Sequence, residues 1–197
     1  GARLAFEQSL ELRTQAGTPD VEGWFALGGL CQLCISAGDI ERAEPMAKTL
    51  YELGARHGNL DAQGDALHYL ADCALIRREY REAQTRYRRA LDHARTYGLV
   101  GQAAEELRGV AMSLAGQGDD VRAIRFAAAA SAQREAVGGV PLNAHHWWAK
   151  LQERLIGAAR ARLPGDSVKA AETVGRNVGF DVAADEALQL AHDLRHA

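Results

Sequence analysis

"AGDIERA" at residues 37–43, "RREYREA" at 77–83 and "GQGDDVRA" at 116–123 are three versions of one turn. Each sets an acidic residue (Asp39, Glu79, Asp119) four positions before an alanine (Ala43, Ala83, Ala123), and the alanines stand forty residues apart. The same spacing runs outward in both directions. Upstream it relates Leu27, Leu67 and Leu107, then Leu30, Leu70 and Val110; downstream it relates Gly58, Gly98 and Gly138. Residues 21–37, 61–77 and 102–115 carry apolar side chains at three- and four-residue spacing, the period of a helix with one buried face. Each unit therefore reads as a helix, a turn at an acidic residue, a second helix, and a glycine stop. Glycine just past a helix end is the usual left-handed C-cap. A helical hairpin of this size cannot bury its apolar face alone, so successive units must stack.

Composition agrees with an all-α chain. Of 197 residues, 47% are hydrophobic and 25% charged, only four are proline, and no β-branched run appears. A chain this long buries roughly 70% of its unfolded surface and needs no cross-links. The formal net charge of -3 gives no global pull toward nucleic acid or a membrane surface. No run of about 18 apolar residues is present, so no spanning helix is expected. The three cysteines, Cys31, Cys34 and Cys73, are too few and odd in number for a disulfide framework. They fit a reducing compartment, and a cytoplasmic location is the expectation.

At seven positions the units follow a common pattern. They read Leu27, Leu30, Cys31, Cys34, Ala43, Ala47, Leu50; then Leu67, Leu70, Ala71, Ala74, Ala83, Tyr87, Ala90; then Leu107, Val110, Ala111, Leu114, Ala123, Ala127, Ala130. This resembles the tetratricopeptide repeat over residues 21–138, with a period of forty in place of about 34. The resemblance implies a right-handed α-α superhelix. Three full hairpins (21–58, 61–98 and 100–138) would carry a flanking N-terminal helix and a C-terminal helical cap over 139–197. Residues 1–17, "ARLAFEQSLELRTQAG" with its neighbours, read as an orphan second helix, with Ala2, Phe6 and Ser9 on its packing face. A piece cut from a longer protein is the expectation, and an N-terminal capping helix the alternative. Beyond Gly138 the forty-residue period stops. One helix is expected from a cap at Asn143 to just before Pro164, then two shorter helices broken near Gly179. "FAAAASAQREAVGGVPL", "LIGAARARL" and "GFDVAADEALQLA" further resemble the end of the helical region in large bacterial signal-transduction ATPases and regulators of the MalT-like and AfsR-like type. That resemblance implies a sensor or partner-binding role in transcriptional regulation.

Several stretches look chemical and are better explained by packing. "CQLC" (Cys31–Cys34) lacks a second ligand pair for zinc, and it lies late in a helix, where the dipole disfavours a thiolate. In the repeat register its thiols fall where Ala71, Ala111, Ala74 and Leu114 stand, so they read as small buried hydrophobes. "HHWW" (145–148) puts its histidines about 100° apart on a helix, unsuited to a shared metal. There Trp148, Leu151 and Leu155 form a docking stripe, and Trp147 is a surface-contact candidate. Arg77, Arg78, Arg81, Arg86, Arg88 and Arg89 are interleaved with Glu79, Glu82 and Asp92, which reads as a solvated face with i,i+4 pairs. The pairs Asp119-Asp120 and Asp185-Glu186 read as helix starts. Pro45 falls inside the expected second helix of the first unit and predicts a kink near 41–45 or a late helix start. No phosphate-binding, dinucleotide, zinc-protease or hydrolase signature occurs, so neither an enzyme nor a bound cofactor or metal is expected.

The helix-A residues facing inward in such a stack define the expected binding site. They are Phe25, Gly28 and Gln32, then Asp65, His68 and Asp72, then Glu105, Arg108 and Met112. Together they predict a concave groove with an apolar entry, an acidic middle and one arginine, suited to a protein or peptide carrying positive charge. No direct nucleic-acid or membrane contact is expected, and apolar repeat ends make a homodimer conceivable on physical grounds. The alternative function is a free-standing adaptor for a protein partner or signalling peptide.

Overall fold

The computed structural model describes residues 1–15, 23–138 and 146–190. All regular structure among them is helical. The helices are α1 (Ala2–Gln15), α2 (Gly23–Ser36), α3 (Ile40–His57), α4 (Leu60–Ile76), α5 (Tyr80–Thr96), α6 (Val100–Gln117), α7 (Asp120–Ala136), α8 (His146–Arg162), α9 (Gly165–Val178) and α10 (Phe180–Gln189). The chain divides into two compact units, Gly1–Arg77 and Arg78–Ala197. Of the 21 register positions in the forty-residue pattern, all are buried except Leu70, which is half-buried.

The turns repeat as closely as the core does. Asp39, Glu79 and Asp119 each occupy the N-cap of the following helix with nearly the same backbone angles, and none bonds its side chain to the helix. Their carboxylates act through the field of the helix N-terminus instead. Arg42 and Arg122, one turn on, pair with Asp39 and Asp119 at 3.7 and 2.7 Å. One residue before these caps the backbone turns left-handed, at Gly38 (φ 76°), Arg78 (φ 62°) and Gly118 (φ 86°). The residue after the left-handed glycine donates its N–H five residues back, as in Asp39 to Cys34 (2.9 Å) and Asp119 to Leu114 (3.0 Å). This closes the last helical turn. Arg78 is the one residue other than glycine with positive φ among those described.

In the first unit, α1 lies on α2, α2 and α3 form a hairpin, and α4 packs on both α3 and α2. The half-buried Phe6 ring sits against Gly29 where a Cβ would overlap it. The bare glycine is what admits the aromatic. α3 begins at Ile40, directly after its cap, and runs unbroken through Pro45, so the expected late start does not occur. Pro45 and Glu41 are both exposed. An exposed position is where the hydrogen bond a proline removes is least costly, because water can replace it. At the end of α4, Arg77 reaches back to α3 and donates to Glu44 (2.5 Å) and Glu41 (2.9 Å). That bond from Arg77 holds the Glu44 carboxyl below the usual range.

In the second unit, α5, α6 and α7 pack in sequence. Tyr87, fully buried, takes a position that is alanine in the sister units, and Gly109 on α6 makes room for its ring. Tyr80 and Gly116 form a second pair of the same kind. α8 packs on α6 and α7 in the way α4 packs on α2 and α3. Trp148, Leu151 and Leu155 stand 41 residues after Leu107, Val110 and Leu114, and all three are buried. The helix-A pattern thus continues one residue out of step. α9 does not follow as a helix B. It lies chiefly on α7 and meets α8 through the Arg160–Glu172 pair at 2.9 Å. The helix break near Gly179 and the helix end before Pro164 are as expected; Asn143 lies outside the described residues.

Two outcomes test this description. Arg78 is exposed, and a left-handed backbone costs an L-residue about 1–2 kcal/mol, part of which glycine returns as unfolded-state entropy. Arg78→Gly is expected to stabilise the fold by about 0.5–1 kcal/mol, read as a raised denaturation midpoint; a fall would contradict it. Replacing Arg77 with alanine should cost about 0.5–1 kcal/mol at neutral pH. Glu44 is depressed in the folded state from a value of 4.5. Its contribution is therefore present above that pH and lost as the pH falls through the folded value. The gap between parent and Arg77→Ala should close in acid, measured by urea denaturation across pH 3 to 7, a range of roughly the carboxylate titration.

Candidate functional site

The residues drawn into a groove from the sequence divide between the two units. In the first, Phe25 on α2 stands out from the surface, 76% exposed. Gly28, one turn on, is buried with Leu50 at ordinary contact distance from where a Cβ would be, and Gln32 is half-buried. On α4, Asp65 is half-buried and its carboxyl is pushed up, chiefly by burial, against an opposing pull from His68. His68 and Asp72 are buried, not surface-facing, with His68 Nε2 3.4 Å from a carboxylate oxygen of Asp72. A buried pair in this position orients α4 side chains more than it offers them to a ligand. The accessible part of the first-unit site is thus Phe25, Gln32 and Asp65.

In the second unit the expected groove residues are covered. α8 lies on α6, and Glu105, Arg108 and Met112 are 5%, 3% and 0% exposed. The Arg108 guanidinium sits 5.8 Å from the centre of a Trp148 ring, a cation–π contact. Glu105 receives Arg108 at 3.5 Å and Arg134 of α7 at 3.4 Å. Burial lowers the Arg108 pKa, with Glu105 opposing and Arg134 adding to the shift. The physical reason for the difference from expectation is plain: the α8 stripe needs a face to bury, and the inward face of α6 is the one it takes.

Other sequence readings fall into place. Cys31, Cys34 and Cys73 are free and buried. The Cys31 thiol donates to the Ala43 carbonyl at 3.4 Å, and burial raises its pKa far from the reactive range. Among the described residues no three His, Cys, Asp or Glu side chains gather as a metal site. Trp148 docks as expected, whereas Trp147 is half-buried instead of a bare surface aromatic; His145 lies outside the described residues. Of the arginine run, Arg86 pairs one turn back with Glu82 at 2.6 Å, as the solvated-face reading requires. Arg77 and Arg88 instead make tertiary contacts, Arg88 with the Ala187 carbonyl at 2.8 Å and with that of Leu188. Asp119-Asp120 does start a helix, and Asp120 also takes a two-pronged bond from Arg162 (2.6 and 2.8 Å). Asp185-Glu186 does not: the pair sits mid-way along α10 and binds Arg95 and Arg125. The tertiary partners of these arginines were missed because nothing local in sequence joins residues 88 and 187. The only hint was an excess of arginine over local acid on α5.

The chain matches no model of a protein family, no curated protein and no solved structure.

Cys31 and Cys73 are fully enclosed. Both should stay inert to a thiol-specific reagent in the native protein and react once it is unfolded. Cys31→Ala should fold normally with at most about 1 kcal/mol lost, since it replaces one small buried side chain by another. Stoichiometric zinc in the parent, lost in this variant, would overturn the packing role.

Proposed function

We propose that this chain is a tetratricopeptide-type scaffold whose helix-A faces bind a protein or peptide, and that it serves as a sensor or partner-binding region of a bacterial transcriptional regulator in the cytoplasm. The observation that carries the reading is the repeat register. Three units share buried positions and left-handed turns at a common spacing, and a stack of such units presents its first helices along one side. In this reading the units wind as a right-handed superhelix. No reacting group in the site calls for catalysis. His68 and Asp72 are buried, and Cys31 is enclosed.

The binding surface we assign is the exposed part of the α2–α4 face, with Phe25 as apolar anchor and Asp65 as acidic partner. A ring standing in water and a half-buried carboxylate in the same unit suit a helical peptide bearing lysine or arginine, through apolar contact and charge. Titration calorimetry with a panel of lysine-bearing and glutamate-bearing amphipathic peptides tests this. Cationic peptides are expected to bind, and Phe25→Ala and Asp65→Asn each to weaken them about tenfold, or roughly 1.4 kcal/mol. Lys48→Ala, on the exposed side of α3, should leave binding unchanged. Indifference of binding to both Phe25→Ala and Asp65→Asn, or preference for the acidic peptides, would sink the assignment.

A further inference from the structure

α10 is fastened to the second unit with small buried side chains and ion pairs, as α9 is. Along it Ala183, Ala184 and Ala187 are buried and Phe180 and Leu188 half-buried, with Leu190 buried just beyond its end. α8, by contrast, buries Trp148, Leu151, Leu155 and Ile156. The side chains that α10 itself buries completely are small and remove little apolar area from water, so its hydrophobic hold is smaller than that of α8. Charge supplies the rest. Arg95 of α5 meets Asp185 at 2.5 Å and Asp181 at 3.9 Å. Arg125 of α7 meets both oxygens of Glu186, at 2.8 and 3.3 Å. Arg88 of α5 donates to the carbonyls of Ala187 and Leu188, the negative end of the α10 dipole. Asp185 remains 58% exposed in its pair, so solvent ions reach it.

The joint to α9 is equally particular. Gly179 alone separates the two helices, at φ 84° and ψ 153°, a conformation open in practice only to glycine. A single glycine is thus the whole joint between α9 and α10.

We propose that α10 is a releasable latch. It docks by charge on Arg88, Arg95 and Arg125, and it leaves as a unit without unfolding α5, α6 and α7. Its departure uncovers those three arginines as a surface for another acidic segment, with which α10 competes in cis. This is independent of the peptide site assigned to α2 and α4.

Hydrogen exchange of the full chain, followed by mass spectrometry, tests the latch. Raising NaCl from about 20 mM to about 500 mM shortens the screening length from roughly 20 Å to about 4 Å. Protection of 180–189 is expected to fall at least about tenfold over that range while α6 and α7 keep theirs. Glu186→Arg should produce the same loss at low salt, and adding Arg125→Glu should restore protection by reversing the pair. A decaglutamate peptide at low salt should release α10, and decaglutamine should not. Protection of α10 that equals that of α6 and ignores salt would overturn the proposal. So would loss of α6 and α7 protection together with α10 in Glu186→Arg, failure of the reversed pair to restore it, or indifference to decaglutamate.

Discussion

Helix backbones in this chain come together at side chains with almost no volume. Cys31 on α2 and Ala43 on α3 are both fully enclosed, and the thiol lies 3.4 Å from the alanine carbonyl. Ala111 and Ala123 are enclosed in the same positions on α6 and α7. With the helices so near, larger groups find room only a turn away, at Leu27, Leu50, Leu107 and Leu114, or opposite a glycine. Tyr87 illustrates the rule: where the register admits a ring in place of alanine, Gly109 across from it has given up its own side chain. Interiors are packed too densely for one change to occur without the other. The turns, caps and loop lengths serve to bring these narrow contacts into line.

Charge does a different job, and mostly in the second unit. Arg162, Arg125 and Arg176 each grip a carboxylate with two nitrogens, on Asp120, Glu186 and Glu135. Arg162 also takes the Ala115 carbonyl at 2.9 Å, so one side chain spans the end of α6 and the start of α7. Exposed pairs of this sort add little stability singly. Their planar, two-pronged geometry fixes direction, and direction is what α8, α9 and α10 need to settle on helices that have already packed. Glu105 and Arg108 are the exception, since they are buried and cost desolvation that their contacts with each other, Arg134 and Trp148 must offset.

The repeat, its turns and the register positions could be read from spacing because each depends on neighbours within one hairpin. Ala43, Ala83 and Ala123 announce themselves by period alone. What could not be read depends on partners far along the chain. Arg108 and Glu105 look like surface residues in any local window, and only the seating of α8 shows them covered. That the α8 stripe continues the helix-A register was hidden by a single-residue slip: Trp148 follows Leu107 by 41 residues, so a search at forty passes over it. Asp185 and Glu186 read as a helix start because acidic pairs usually are one, yet here Gly179 had already begun the helix six residues earlier. Pro45 did not delay the start of its helix, which begins at Ile40 and carries the proline at an exposed position.

Gly175 shows how position can be set without any attraction. A Cβ there would collide with the Arg125 carbonyl, which is backbone and cannot step aside. Its neighbours on α9 are Val174 and Arg176. Sliding α9 by one residue in either direction would press one of those side chains into the space glycine leaves, so neither neighbouring alignment is open. α9 is thus barred from both registers adjacent to its seat on α7. The ion pair between Arg176 and Glu135 then needs only to hold a choice that exclusion has already made.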